Sequence, residues 1–169
     1  MKKFGIRSVV AIGIGTALYI VLSYVSIPIG FIPNTAIQPR VALLAFMAAI
    51  FGPVVGGAVG FLGHALADAV QYGSVWWSWV FPDAVFGVLV GMFASKYLIE
   101  KGGFETKQLV LFNIVQVVAN VVAWIVLAPI FDILIYAEPA NKVFTQGIVA
   151  FIGNVITIGI LGSLLALGY

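Results

Sequence analysis

FGPVVGGAVGFLGHALADAVQYGSVWWSW, residues 51–79, is the stretch whose reading decides the fold. It opens on a Gly52-Pro53 break, and small residues recur every fourth position as Gly52, Gly56 and Gly60. The row continues into His64 and Asp68, with Gln71 three residues on, and then a segment holding Trp76, Trp77 and Trp79. Spacings of four and three put His64, Asp68 and Gln71 on one helical face. A row of glycines admits a second helix at close range. A histidine and an acid on that row are costly to place among apolar residues.

The rest of the chain sets the medium. Of 169 residues, 63% are hydrophobic and only 8% are charged. A soluble domain carries about 25% charged residues, so this chain cannot cover itself with polar groups and its outer surface faces lipid. The expected architecture is an all-α, polytopic membrane protein, with residues 1–169 as a single membrane-embedded domain. No cysteine is present, which excludes disulfides and thiolate chemistry. The net charge of +2 is too small to point to nucleic acid.

Residues 8–24 give a first span, preceded by Lys2, Lys3 and Arg7 and read as retained rather than cleaved. Residues 26–40 hold Pro28, Pro33 and Pro39 and read as an apolar loop packed on the protein. Residues 41–71 are too long for one upright span. Splitting them at Gly52-Pro53 gives a short helix, 41–51, and a longer one, 53–71, with proline suited to a first turn. Further spans are expected at 79–97, 108–130 and 143–167.

Charge parity favours the split. The link between the fourth and fifth spans carries Lys96, Lys101 and Lys107. Basic residues gather on the cytoplasmic side, and four preceding spans bring this link to the side of the N-terminus. Six spans with both termini cytoplasmic then put six of the eight basic residues inside, leaving Arg40 and Lys142 outside.

On this topology the outer half collects polar groups from several helices: His64, Asp68 and Gln71, then Asp83, then Asn120 with Trp124, and Asn154. That pattern suits a pocket open to the outside. Blander readings stand beside it. His64 and Asp68 also fit helix-to-helix glue, the tryptophans fit an interfacial belt, and Asp83 after Pro82 fits a first-turn acid. Three tryptophans within four positions cannot all face headgroups, so at least one is expected to point inward. Asn113 and Gln116 read as structural. On the first helix Ala11/Gly15 and Gly13/Ala17 are two small-x-x-x-small pairs, suited to packing or to docking on another subunit.

These features resemble the S components of energy-coupling factor (ECF) transporters, the six-helix subunits that capture vitamins. The likeness runs through Ile32-Pro33-Asn34-Thr35, Phe51-Gly52-Pro53 with Gly56, and Gly63 through Trp79. It implies substrate capture at the outer side of the bacterial cytoplasmic membrane, with Asn34 and Tyr72 joining the residues above. It also implies a separate transmembrane coupling subunit (T component) and two ATPase subunits, which would use the ATP and Mg; no cofactor is expected in this chain. The family's alanine-x-x-x-alanine docking pattern falls on Ala11 and Gly15, with glycine in place of the second alanine. The substrates implied are a hydroxymethylpyrimidine-like thiamine precursor, a queuosine precursor or cobalamin.

Other classes fit less well. The chain has no phosphate-cradling G-x-x-x-x-G-K-[ST] loop and no H-E-x-x-H, so neither an ATPase nor a zinc protease is expected, and no metal site. Asp68 and Asp83 alone support neither intramembrane proteolysis nor any other catalytic role. The competing transport reading is a self-sufficient transporter using these two acids as proton or ion sites.

Overall fold

The computed structural model describes residues 4–28, 30 and 36–169, and its architecture is all-α. The helix α1 spans Ile6–Ser23, α2 Arg40–Phe51, α3 Pro53–Tyr72 and α4 Trp77–Gly91, followed by the short α5, Ala94–Tyr97. The next rod joins α6, Thr106–Asn120, to α7, Ala128–Tyr136, through a π-helical stretch at Val121–Leu127. The last joins α8, Ala140–Thr157, to α9, Ser163–Gly168, through a second π stretch at Ile158–Gly162. Between α1 and α2, β1 (Ile27–Pro28) pairs antiparallel with β2 (Ala36–Ile37).

The expected break is present. Gly52 sits at φ +94, a conformation that L side chains rarely adopt, and Pro53 starts α3 where its missing N–H costs nothing. Among the described residues, four helices are long and apolar enough to cross a membrane: Ile6–Ser23, Pro53–Tyr72, Thr106–Tyr136 and Ala140–Gly168. The bent pair Trp77–Gly91 and Ala94–Lys101 makes a fifth if counted as one span.

The expected boundaries shift in three places. The fourth span is not one straight helix, because the chain turns by 48° after Gly91. The fifth runs past its expected end at residue 130 to Tyr136, so Asp132 lies inside a helix. Asp83 lies well past the first turn of α4, which begins at Trp77, so it is no first-turn acid.

The short α2 is the centre of the bundle. Nine of its residues are buried, including Leu44, Ala45, Ala48 and Ile50. An all-round apolar helix of this kind is stable only when surrounded. At 12 residues it is about 18 Å long, short of the roughly 30 Å hydrocarbon layer. Its neighbours, not lipid, satisfy its surface.

Glycines weld α3 to α4. A Cβ on Gly56 would lie 2.4 Å from the Gly87 carbonyl oxygen, and one on Gly60 would lie 2.5 Å from that of Asp83. A Cβ on Gly91 would lie 2.5 Å from the Gly52 carbonyl carbon. The glycine row is therefore a backbone-to-backbone contact.

The two ends of the bundle differ. Arg7 reaches Glu100 at 2.5 Å and lies over the Phe51 ring. The start of α1, the Gly52 turn and the lysine-bearing link after α4 thus share one end, as charge parity required. At the other end Gln71 donates to Ser23 Oγ, and Trp77 N–H donates to Tyr136 Oη at 3.0 Å.

Candidate functional site

A cavity of about 510 Å³ opens at the end away from Arg7. One wall is the end of α3 and the start of α4, carrying Asp68, Tyr72, Trp76 and Trp79. The facing wall brings Trp124 from the π stretch, Asp132 from α7, and Gln146 and Asn154 from α8. Arg40, at the start of α2, and Gln38 add to the lining from the β1–β2 side.

The indoles are oriented by one carboxylate. Asp132 Oδ1 accepts from Trp76 Nε1 at 2.8 Å and from Ser78 Oγ, and Oδ2 accepts from Trp79 Nε1 at 2.8 Å. Asp132 is only 2% exposed, and three donors offset the cost of burying its charge. Trp76 stacks on Tyr136 with centroids 4.1 Å apart, and Trp79 meets Trp124 edge to face at 5.4 Å. Such ring pairs hold aromatic walls in fixed planes. Trp77 turns away, against Phe61 and Phe81. Two of the three tryptophans point inward and one belongs to the outer face.

Behind the cavity lies a buried polar chain. Asp68 Oδ2 accepts from the Trp76 backbone N–H at 3.1 Å, and its Oδ1 faces His64 Nε2 at 3.6 Å. His64 Nδ1 lies 2.7 Å from Asp83 Oδ2, which also accepts from the Tyr19 hydroxyl. Helices α1, α3 and α4 are joined through these four side chains, all of them buried. Only Asp68 reaches the cavity, so the ligand and glue readings divide: Asp68 lines the site, while His64 and Asp83 tie helices together behind it.

The other expected residues fall on both sides of that division. Tyr72 and Trp124 line the cavity. Gln71 is instead bonded to Ser23 on α1. Asn120 is fully buried and donates to Gln116 O and Oε1 at 2.9 and 3.0 Å, outside the lining. Asn113 and Gln116 bridge to the last rod through Ser163 Oγ and Val155 O, as structural residues should. Asn34 lies outside the described residues.

The expected docking pair lies on the buried side of α1. Ala11 and Gly15 face inward, and a Cβ on Gly15 would lie 2.8 Å from both Met47 Cε and Val59 Cγ2. The small residues left on the outer face of α1 are Gly13 and Ala17. Gly15 therefore packs the bundle against α2 and α3.

Several lining residues lie outside the expected set, among them the charged Asp132 and Arg40. Asp132 was hidden because the fifth span was ended at Ile130, although an acid within IFDILIY is itself a membrane-depth signal. Arg40 was counted only as an outside charge.

Comparison with known proteins shows the family. The chain is 50% identical over 170 residues to a UPF0397 protein of Exiguobacterium sp., covering 100% of this chain and 92% of that one. It is 53% identical over 169 residues to a UPF0397 protein of Lactobacillus johnsonii, covering 99% and 91%. A Clostridium perfringens UPF0397 protein is 48% identical, with 99% and 91% covered. No solved structure matches significantly. The family model described as "ECF-type riboflavin transporter, S component" matches residues 3–169. With an all-α apolar bundle and an aromatic cavity at one end, the chain belongs to the S components of ECF-type transporters, the substrate-binding subunits of those assemblies.

Proposed function

We propose that this chain captures a flat heteroaromatic vitamin or vitamin precursor in the cavity bounded by Trp76, Trp79 and Trp124. Delivery for ATP-driven uptake would then use a T component and two ATPase subunits. The observation that carries the reading is the Asp132 clasp, which aims two indoles at a space of about 510 Å³. That volume is in the range of pockets for drug-sized ligands. It favours a pyrimidine, a deazapurine or an isoalloxazine, the ring system of the vitamin in the family's description, over cobalamin with its corrin and nucleotide tail.

The topology follows the positive-inside rule. Six spans, counting the short α2 and the bent α4–α5, put the Arg7 end in the cytoplasm and the cavity toward the outside of the bacterial membrane. The outer face of α1 at Gly13 and Ala17 is the surface offered to the T component. Mass spectrometry of small molecules retained by the purified chain, with co-purification of T and ATPase subunits, tests the reading. Recovery of a heteroaromatic compound whose binding quenches tryptophan emission supports it. Proton-driven uptake by this chain alone in liposomes would replace it with the self-sufficient transporter, which the buried Tyr19–Asp83–His64–Asp68 chain favours as a relay.

A further inference from the structure

The charged groups around the cavity differ in how much of their bonding capacity the protein uses. Three carboxylates, Asp68, Asp132 and Glu138, line it against the cations Arg40 and Lys142. By that count a cationic guest would be favoured. The count misleads, because most of these charges are already engaged. Asp132 already accepts from three donors, and Glu138 pairs with Lys142 at 2.6 Å. Asp68 accepts from Trp76 N–H and faces His64.

Arg40 is different. Its guanidinium carbon lies 5.0 Å from the centroid of the Tyr19 ring. Its Nε is buried without a hydrogen-bond partner, and no ion pair engages the side chain among the described residues. Tyr19 itself is fully buried, with its hydroxyl donated to Asp83, so the ring under the guanidinium is a fixed platform. A buried N–H with no acceptor is costly. The planar fork of an arginine matches two oxygens of one carboxylate or phosphate. Arg40 also opens α2, where the positive end of the helix dipole favours negative charge.

We propose that Arg40 is the specificity-determining cation of the cavity. The captured molecule carries an oxyanion, a carboxylate or a phosphate, attached to its flat ring system directly or through a side chain, and a ring N–H or amino group is left for Asp68. This inference rests on the capture reading above and narrows its substrate class.

The test uses the purified full-length chain in lipid nanodiscs, titrated calorimetrically with two matched pairs. Pterin and pterin-6-carboxylate differ only by a carboxylate; riboflavin and riboflavin 5′-phosphate differ only by a phosphate. The expected result is that one acidic member binds at least tenfold tighter than its neutral counterpart. Which pair shows the preference tells carboxylate from phosphate. Arg40→Gln abolishes the preference, so that the acidic and neutral members of the pair bind alike, and Arg40→Lys keeps part of it, with thermal unfolding confirming that both variants fold. Equal affinities within both pairs, or a preference that survives Arg40→Gln, overturns the oxyanion assignment and leaves heteroaromatic capture intact. Failure of both acids to bind at millimolar concentration also overturns it, and the capture reading is then decided by its own retained-ligand experiment.

Discussion

Replacing Asp132 by asparagine isolates one strand of the clasp that holds the cavity walls. The two side chains have the same shape, but asparagine offers one acceptor oxygen and an amide donor. With that oxygen in the place of Oδ1 it still accepts from Trp76 Nε1 and Ser78 Oγ. Its NH2 group then faces Trp79 Nε1–H, donor against donor, where Oδ2 had accepted at 2.8 Å. A hydrogen bond to a charged group contributes about 1.5–3 kcal/mol. Trp79 is partly exposed to the cavity, so water recovers some of this, and the lower end applies. At 1.4 kcal/mol per factor of ten, substrate binding falls by about tenfold, and Trp79 loses its fixed plane against Trp124. Calorimetric binding with the retained ligand reads the first effect, and the nitrogen-labelled indole resonance of Trp79 reads the second. Wild-type affinity together with an unshifted Trp79 resonance would refute the claim that Asp132 builds the wall.

Gly56→Ala places a Cβ 2.4 Å from the Gly87 oxygen and 2.6 Å from Ala48 Cβ. Overpacking of that kind costs about 1–3 kcal/mol, so the thermal transition drops, and an unchanged transition would show that α3 and α4 are not in backbone contact. His64→Ala removes the buried group beside Asp83 and Asp68, and breaking such a pair costs about 3–5 kcal/mol; a variant as heat-stable as the parent would sink the glue role. Asp68→Asn weakens ligand binding and lowers the unfolding transition less than His64→Ala does, since this member of the chain lines the cavity and asparagine keeps an oxygen for the Trp76 N–H. Gly13→Leu blocks co-purification with the T component while ligand binding persists, whereas Gly15→Leu damages the fold through Met47 and Val59; the reverse outcome would return docking to Ala11 and Gly15.

What the residues made legible follows their chemistry. Gly52-Pro53 was readable because a positive φ and a helix start are local events that two residue types signal by themselves. The common end of the lysine link and the N-terminus was readable from charge parity, and Arg7 bonded to Glu100 agrees with it. The direction of each tryptophan was not readable, because Trp76 and Trp79 are turned inward by Asp132, more than fifty positions along the chain. The split between His64 and Asp68 was hidden for a similar reason: both share one face of α3, and only the approach of α1 with Tyr19 and α4 with Asp83 seals one of them off. Ala11/Gly15 and Gly13/Ala17 are equivalent as patterns, and only the packing of α2 and α3 tells inward from outward.

The glycine weld has a mechanical consequence. With Gly56 against Gly87 and Gly60 against Asp83, the α3–α4 hairpin has no side-chain cushion and behaves as the stiff jaw of a clamp. Trp76 and Trp79 ride on that jaw. The opposing jaw is made of the two long rods, each of which contains a π-helical stretch, at Val121–Leu127 and Ile158–Gly162, where the backbone ladder is locally widened. Trp124 lies in the first of these stretches. Compliance is thus concentrated on one side of the cavity, and relatives that accept wider or narrower rings would differ first on the rods, with the glycine hairpin kept as the common reference surface.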